Sequence, residues 1–365
     1  MKKALIILSL ILFPLGCGIG SKPNNLKTGR IAYKVKQDSF ALAIDASNNI
    51  WVLSDNALTK VSSEGILLET HDNYASSNDI AIDAGGNVWI PAGRGVLVEL
   101  DTSGTYTTYT VENVIYEESI VIDEQGDILV GGYTQSCTTG ASLSVCSSSN
   151  GIITKLTSNG MTLGTYDVGN YIPNAIAIDA SNNIWVAGSA FSCNGYSSGF
   201  SGGTITEAVI ELNQNGITMG TYIIDSYPCN GNYLTLILNG RPTNMDIDPS
   251  GNVWVANRLT ETVTKLSSTG VTLGTYSAGG GAHYGMGIDS DGNVWVTNYY
   301  TNGGAVTEIG PDGTELKSYS VDTIPIGIAI DAAGNVWTTY GDGVTKLIDV
   351  AKGPQYFPYK GPQFP

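Results

Sequence analysis

The sequence predicts an all-β protein: a seven-bladed β-propeller of four-stranded antiparallel blades, its ring closed by an N-terminal strand. Three observations carry the prediction. A twelve-residue unit recurs seven times, with its aspartate at Asp45, Asp83, Asp123, Asp179, Asp248, Asp289 and Asp331, at spacings of 38, 40, 56, 69, 41 and 42 residues. A period near 40 with four strands per unit is that of a propeller blade. All six tryptophans of the chain, Trp51, Trp89, Trp185, Trp254, Trp295 and Trp337, fall at one position of the unit, with Leu129 in the third copy. Rings placed so regularly imply packing between equivalent units. The last unit lacks a fourth strand, and a matching segment stands at the other end of the chain.

Each element follows from local chemistry. The first two strands and their turn are written ALAIDASNNIWV (41–52), DIAIDAGGNVWI (79–90), SIVIDEQGDILV (119–130), AIAIDASNNIWV (175–186), NMDIDPSGNVWV (244–255), GMGIDSDGNVWV (285–296) and GIAIDAAGNVWT (327–338). An alternating apolar run, a tight connection and a second apolar run make a hairpin. The third residue after the aspartate is Gly86, Gly126, Gly251, Gly292 or Gly334, and otherwise Asn48 or Asn182. Those two residue types enter positive φ at least cost. A third apolar run and a second turn follow, ending at Gly65, Gly104, Gly160, Gly216, Gly270 or Gly313, and then a fourth run such as MTLGTYDV or TELKSYSV. The seventh unit has Ala351 where the others have that glycine. The run RIAYKV (30–35), with Tyr33 at the position of Tyr319, supplies its missing strand, because an open blade would leave an unpaired edge.

The chain divides into a signal segment (1–17), a polar tether (18–28), the propeller (29–352) and a tail rich in proline and aromatic residues (353–365). Lys2 and Lys3, the apolar run Ala4 to Phe13 and Pro14-Leu15-Gly16-Cys17 form a processing signal too short to span a bilayer. It resembles a bacterial lipoprotein signal, which implies lipidation of Cys17 and a location in the bacterial envelope, on the periplasmic or surface-exposed side of the outer membrane. Seven of the 17 basic residues precede residue 37 and every acidic residue follows it, leaving 10 basic against 33 acidic residues, a charge of −23. Such a body repels phosphate backbones, so nucleic acid is not an expected partner. The expected partner is an envelope protein or glycan, met by a monomer tied to the membrane through its lipid.

The stretch from Ile324 to Trp337, read as I-P-x-G-I-A-I-D-x-x-G-N-V-W, resembles the NHL-repeat class of propellers, and within it proteins similar to streptogramin (virginiamycin B) lyase. The resemblance covers essentially the whole mature chain. It implies the propeller fold, which hosts enzymes, binders and scaffolds alike. The lyase route would further imply a magnesium ion with histidines and acidic residues on the funnel face. Of the two histidines, His71 stands at the outer-strand position occupied elsewhere by Tyr109, Tyr166, Tyr222, Tyr276 and Tyr319, a structural place. His283 is the one candidate general base, with Glu117 or Glu118 as candidate metal ligands in that reading.

In a propeller, the connections between second and third strands and between blades emerge on one face. Three inserts map there: 131–151 and 187–207 after second strands, and 224–243 between blades four and five. Elaboration on one face of a rigid scaffold is where binding resides. The inserts carry Cys137, Cys146, Cys193 and Cys229. We expect pairing in that order, although four cysteines permit three connectivities, and no histidine accompanies them as a zinc site would require. The aspartates of the repeat, Asp289-Ser-Asp291-Gly-Asn293 above all, lack the closing acidic residue of a calcium loop and read as turn caps. Position on the funnel face selects Arg94, Glu117, Glu118, Tyr171, Asn174, Arg241, Asn244, Asn257, Arg258, His283, Tyr284, Asn298 and Tyr299. Tyrosines, amides and arginines suit sugars or peptides. Asp246 stands where other copies carry Ala, Gly or Val, and Arg241 or Arg258 is its expected partner. The leading expectation is a non-enzymatic binding module without a cofactor; the alternative is a metal-dependent lyase or hydrolase using His283 and magnesium.

Overall fold

The structure is a computed structural model, and it describes residues 30–35, 39–72, 77–114, 116–139, 144–192, 195–196, 199–231, 242–300, 303–321, 324–341 and 343–353. Within its strands, only the backbone is described at 31, 116–118, 135–139, 144–149, 195–196, 199–202, 229–231, 282–284 and 300. The signal segment, the tether and the tail beyond Gly353 lie outside the described residues.

Seven antiparallel sheets form a seven-bladed propeller. Blade 1 comprises β2 (Ser39–Ile44), β3 (Ile50–Ser54), β4 (Ala57–Val61) and β5 (Leu67–Asp72); blade 2 comprises β6 (Ala81–Ile82), β7 (Val88–Pro91), β8 (Val96–Leu100) and β9 (Tyr106–Thr110). Blade 3 holds β10 (Tyr116–Ile122), β11 (Ile128–Thr139), β12 (Ser144–Leu156) and β13 (Thr162–Asp167). Blade 4 holds β14 (Ile172–Ile178), β15 (Ile184–Phe191), β17 (Gly199–Leu212) and β18 (Thr218–Gly231), with a short β16 (Gly195–Tyr196) paired to the start of β17. Blade 5 runs β19 (Pro242–Ile247), β20 (Val253–Asn257), β21 (Thr262–Leu266) and β22 (Thr272–Ser277). Blade 6 runs β23 (Ala282–Ile288), β24 (Val294–Tyr300), β25 (Gly303–Ile309) and β26 (Glu315–Val321). Blade 7 owns β27 (Pro325–Ile330), β28 (Val336–Tyr340) and β29 (Gly343–Leu347), and β1 (Arg30–Lys34) completes it. Tyr33 faces Val344 in that ladder as Tyr319 faces Val306 in blade 6, the register expected from the sequence.

The repeated unit is held by one set of hydrogen bonds. In blade 5, Asp248 Oδ1 accepts the N–H groups of Ser250 and Asn252, and its Oδ2 accepts the Trp254 indole N–H at 3.0 Å. The same indole-to-aspartate bond recurs in the other five tryptophan-bearing blades. The aspartates are therefore turn caps, Asp289 included. The expected positive φ is present, from 60° at Asn48 to 85° at Gly86.

Each indole is sandwiched. On one side it meets the outer-strand ring of its own blade: Tyr109 on Trp89, Tyr222 on Trp185, Tyr276 on Trp254, Tyr319 on Trp295, His71 on Trp51 and Tyr33 on Trp337. His71 is thus structural. On the other side the indole joins the next blade's core, as Trp254 does with Met286, Ile288 and Val294. The third-strand residue opposite the tryptophan is Lys or Glu. Lys60, Lys265 and Lys346 place their ammonium groups over the ring; Glu99, Glu211 and Glu308 instead accept the hydroxyl of the outer tyrosine. Both arrangements give the charged tip a partner beside a buried ring.

Glycine locks neighbouring blades. A Cβ on Gly65 would stand 1.6 Å from the Tyr33 ring, and one on Gly270 2.0 Å from the Tyr222 ring. The turns of Gly65, Gly160, Gly216, Gly270 and Gly313 rest on the outer tyrosine of the preceding blade, an approach only a residue without a side chain permits.

Two inserts expected as loops continue the ladder instead. β11 and β12 extend their pairing to Thr139 and Ser144, and β17 and β18 pair as far as Phe200 and Gly231. Alternating Ser, Thr and Tyr suit a two-sided polar ribbon, a pattern that composition alone presents as loop. Of the interblade insert 224–243, residues 232–241 lie outside the described residues.

Candidate functional site

The first strands of the blades converge on the axis, and at the expanded face they leave a cavity of about 510 Å³ lined from all seven blades. Its walls come from positions five to three residues before the turn aspartates, with Pro242 and Arg258 of blade 5 added to them. Leu42, Ile120, Ile176, Ile326 and Ile328 supply apolar surface; Asn78, Asp79, Asn174, Thr243, Asn244 and Arg258 supply polar groups.

Asp79 is the carboxylate of this cavity. Its Oδ1 accepts the Ile80 N–H at 2.9 Å and its Oδ2 accepts the Ile120 N–H of blade 3 at 2.9 Å. Burial pushes its pKa up to about 6, against the pull of those two N–H groups. Four residues before the turn aspartate, a polar residue stands only in blades 2, 3 and 5, where it is Asp79, Ser119 and Asn244; the remaining blades have Ala or Gly. Lining the blades up on the turn aspartate would have singled it out.

Asp246 makes the corresponding bridge one level deeper. Its Oδ1 accepts the Ile247 N–H and its Oδ2 the Ile288 N–H of blade 6, at 2.8 and 3.1 Å. Main-chain donors thus reach both oxygens of this carboxylate; of the two arginines expected beside it, Arg258 lines the cavity and Arg241 lies outside the described residues.

Of the residues selected by position, the cavity brings together Asn174, Asn244 and Arg258. The Asn174 amide N–H reaches Ser189 Oγ at 3.4 Å, and its Oδ1 is buried without a protein hydrogen bond. Asn257 and Asn298 do not line it: each is buried within its blade, with amide donors on Thr264 and Thr307. Tyr171 packs against the blade 3–blade 4 core, Tyr299 is half-buried, and Arg94 is exposed in the β7–β8 turn at φ 59°. The side chains of Glu117, Glu118, His283 and Tyr284 lie outside the described residues; the backbone of His283 pairs with Asn298. Cys17 and Cys193 also lie outside them, as do the side chains of Cys137, Cys146 and Cys229. In the β11–β12 ladder, Cys137 and Cys146 are direct partners.

Sequence reasoning missed a second polar cluster beside the cavity. Glu207 on β17 is 1% exposed, faces Ser189 across the ladder and accepts the Tyr227 hydroxyl. Burial pushes its pKa up to about 7, and the Asp225 carboxylate adds to the rise although the Tyr227 bond opposes it. The Asn174 amide ties Ser189, and through it this corner of blade 4, to the cavity wall. Among the described residues no three His, Cys, Asp or Glu side chains converge as a metal site would need.

Solved structures share this architecture. The chain matches a streptogramin B lyase at 15% identity and TM-score 0.64, over 88% of this chain and 97% of that one. It matches virginiamycin B lyase from Staphylococcus aureus at 13% identity and TM-score 0.63, over 88% and 99%. The WD40 propeller domain of Doa1 aligns at 12% identity and TM-score 0.62, over 87% and 96%. At such identities the likeness is one of fold, and it spans lyases and WD40 propellers alike. No protein-family profile and no curated protein matches the sequence.

Proposed function

We propose that the chain is an extracytoplasmic binding module, anchored by a lipid on Cys17, which takes the polar end of an envelope protein or glycan into the central cavity. The observation that supports this most is the cavity itself: amides, a carboxylate and a guanidinium from different blades converge over an apolar floor, the composition of a site that orients one polar ligand. The buried Asn174 Oδ1 adds an acceptor with no partner in the protein. A Cys137–Cys146 disulfide, bridging direct ladder partners, would hold the β11–β12 ribbon beside that mouth, with Cys193 and Cys229 as the second pair.

The test uses residues 18–365 with Cys17 omitted, and biolayer interferometry against envelope glycan fragments and purified envelope proteins. Asn174→Ala and Arg258→Ala should each weaken binding about tenfold, whereas Arg94→Ala should not. Equal binding by all forms would remove the cavity from the interaction. Loss of palmitate labelling in full-length Cys17→Ser tests the anchor.

The fold likeness to streptogramin lyases, with His283 on the strand opposite Asn298, favours a second reading as a magnesium-dependent lyase. Among the described residues no three His, Cys, Asp or Glu side chains converge as a magnesium site would need; the side chains of Glu117, Glu118 and His283 lie outside them. Turnover abolished by His283→Ala would favour this reading.

A further inference from the structure

Blade 3 breaks the repeat at its most regular position. Leu129 stands where six blades carry tryptophan, and the residue two before it is Asp127 where the tryptophan blades have asparagine. A cavity of about 260 Å³ opens there between blades 3 and 4, on the face opposite the central funnel.

The turn aspartate, the third-strand lysine and the apolar wall of the next blade, which serve an indole elsewhere, all line this cavity. Asp123 is 3% exposed and caps its turn as its equivalents do. Lys155, opposite Leu129 in the ladder, donates to Asp123 Oδ2 at 2.7 Å and lies 3.1 Å from Asp127 Oδ2. Blade 5 shows that a lysine and an indole can share one oxygen: Lys265 and the Trp254 N–H both approach Asp248 Oδ2, at 3.3 and 3.0 Å. Ile178 and Ile184 wall the cavity from the positions that Ile288 and Val294 hold against Trp254.

The cavity also has an unused acceptor. In blade 1, Asn48 Oδ1 accepts the Ala332 N–H of the preceding blade. Asn182 is its counterpart in blade 4 and lines the cavity, yet its buried Oδ1 has no hydrogen bond. A buried carbonyl left so is costly unless something donates to it.

We propose that this pocket binds a planar heteroaromatic ring bearing an N–H, of the size and chemistry of indole. The ring lies between Leu129 and the isoleucines under the Lys155 ammonium, and its N–H points to Asp123 or Asn182. Such a ring arrives as a small molecule or as a tryptophan side chain of a peptide.

The experiment titrates 5-fluoroindole into the soluble form, residues 18–365, and follows fluorine NMR, which the six native tryptophans do not obscure. Saturable binding with Kd on the order of 0.1–1 mM is expected for so small a ligand. Leu129→Trp should weaken it about tenfold or more by filling the pocket with a covalent indole. 1-Methylindole, which lacks the N–H, should compete at least about tenfold more weakly, a readout that needs no variant. N-acetyl-tryptophanamide distinguishes a peptide-borne ring from a free one, and binding by either supports the site. Absence of saturable binding by both, or equal binding by wild type and a folded Leu129→Trp, overturns the proposal.

Discussion

Tyr33 stacks on Trp337 with ring centroids 5.8 Å apart, so the first described strand completes the aromatic sandwich of the last blade. Tyr33→Ala removes that stack and the surface on which Gly65 rests. We expect a loss of about 2–3 kcal/mol, read by chemical denaturation. An unchanged midpoint would mean that β1 contributes little to closing the ring.

Gly270 and Gly104 separate steric contact from backbone strain. Both have positive φ, 75° and 84°, but a Cβ at 270 would strike the Tyr222 ring whereas one at 104 meets nothing within 4 Å. Gly104→Ala should cost about 1–2 kcal/mol, the left-handed penalty alone. Gly270→Ala should cost roughly 3 kcal/mol or more because two blades must part. Comparable melting of the two variants would contradict the interlock.

Glu207 sets a pH dependence. Its carboxyl is pushed up to about 7 from an ordinary 4.5, so the folded state holds a proton that the unfolded state releases. The associated stability is fully present below about 4.5 and is lost as pH rises to 7. Glu207→Gln should flatten this slope and raise stability at pH 8 by on the order of 2–3 kcal/mol relative to wild type, measured by denaturation at pH 5 and pH 8.

Asp248 behaves in the opposite sense. Burial acts to raise its pKa, but hydrogen bonds from Asn252 and Trp254 and the charge of Lys265 hold it below the ordinary value. Its contribution is present above the unfolded value near 4 and disappears as pH falls through the lower folded value. Trp254→Phe deletes one of those donors. It should cost about 1–2 kcal/mol at neutral pH and shift acid unfolding to higher pH.

The blade was legible because its defining contacts are local. Asp248, Asn252 and Trp254 lie within seven residues, so the turn cap, the amide and the indole are printed side by side. The central site was half legible. Position alone found Asn174, Asn244 and Arg258, but it also selected Asn257 and Asn298, which turn into their own blades. Side chains alternate along a strand, so neighbours such as Asn257 and Arg258 take different directions. Asp79 and Glu207 were missed because their partners, Ile120 and Tyr227, are distant in sequence and are brought close only by blade-to-blade packing in the first case and by strand register in the second. The polar ribbons of blades 3 and 4 gave no apolar periodicity to read.

Ring closure by β1 sets the order in which this molecule can be finished during translation. Tyr33 leaves the ribosome with the first of the described strands, yet Val344 and Trp337, its partners, leave only with the seventh blade. Blades 1 to 6 can fold as they emerge, each docking on its predecessor, while β1 stays an unmated strand whose apolar face is open to any passing sheet edge. A chain stalled before Gly343 is an open arc with two sticky margins, so exposure to misassembly lasts until β29 has emerged.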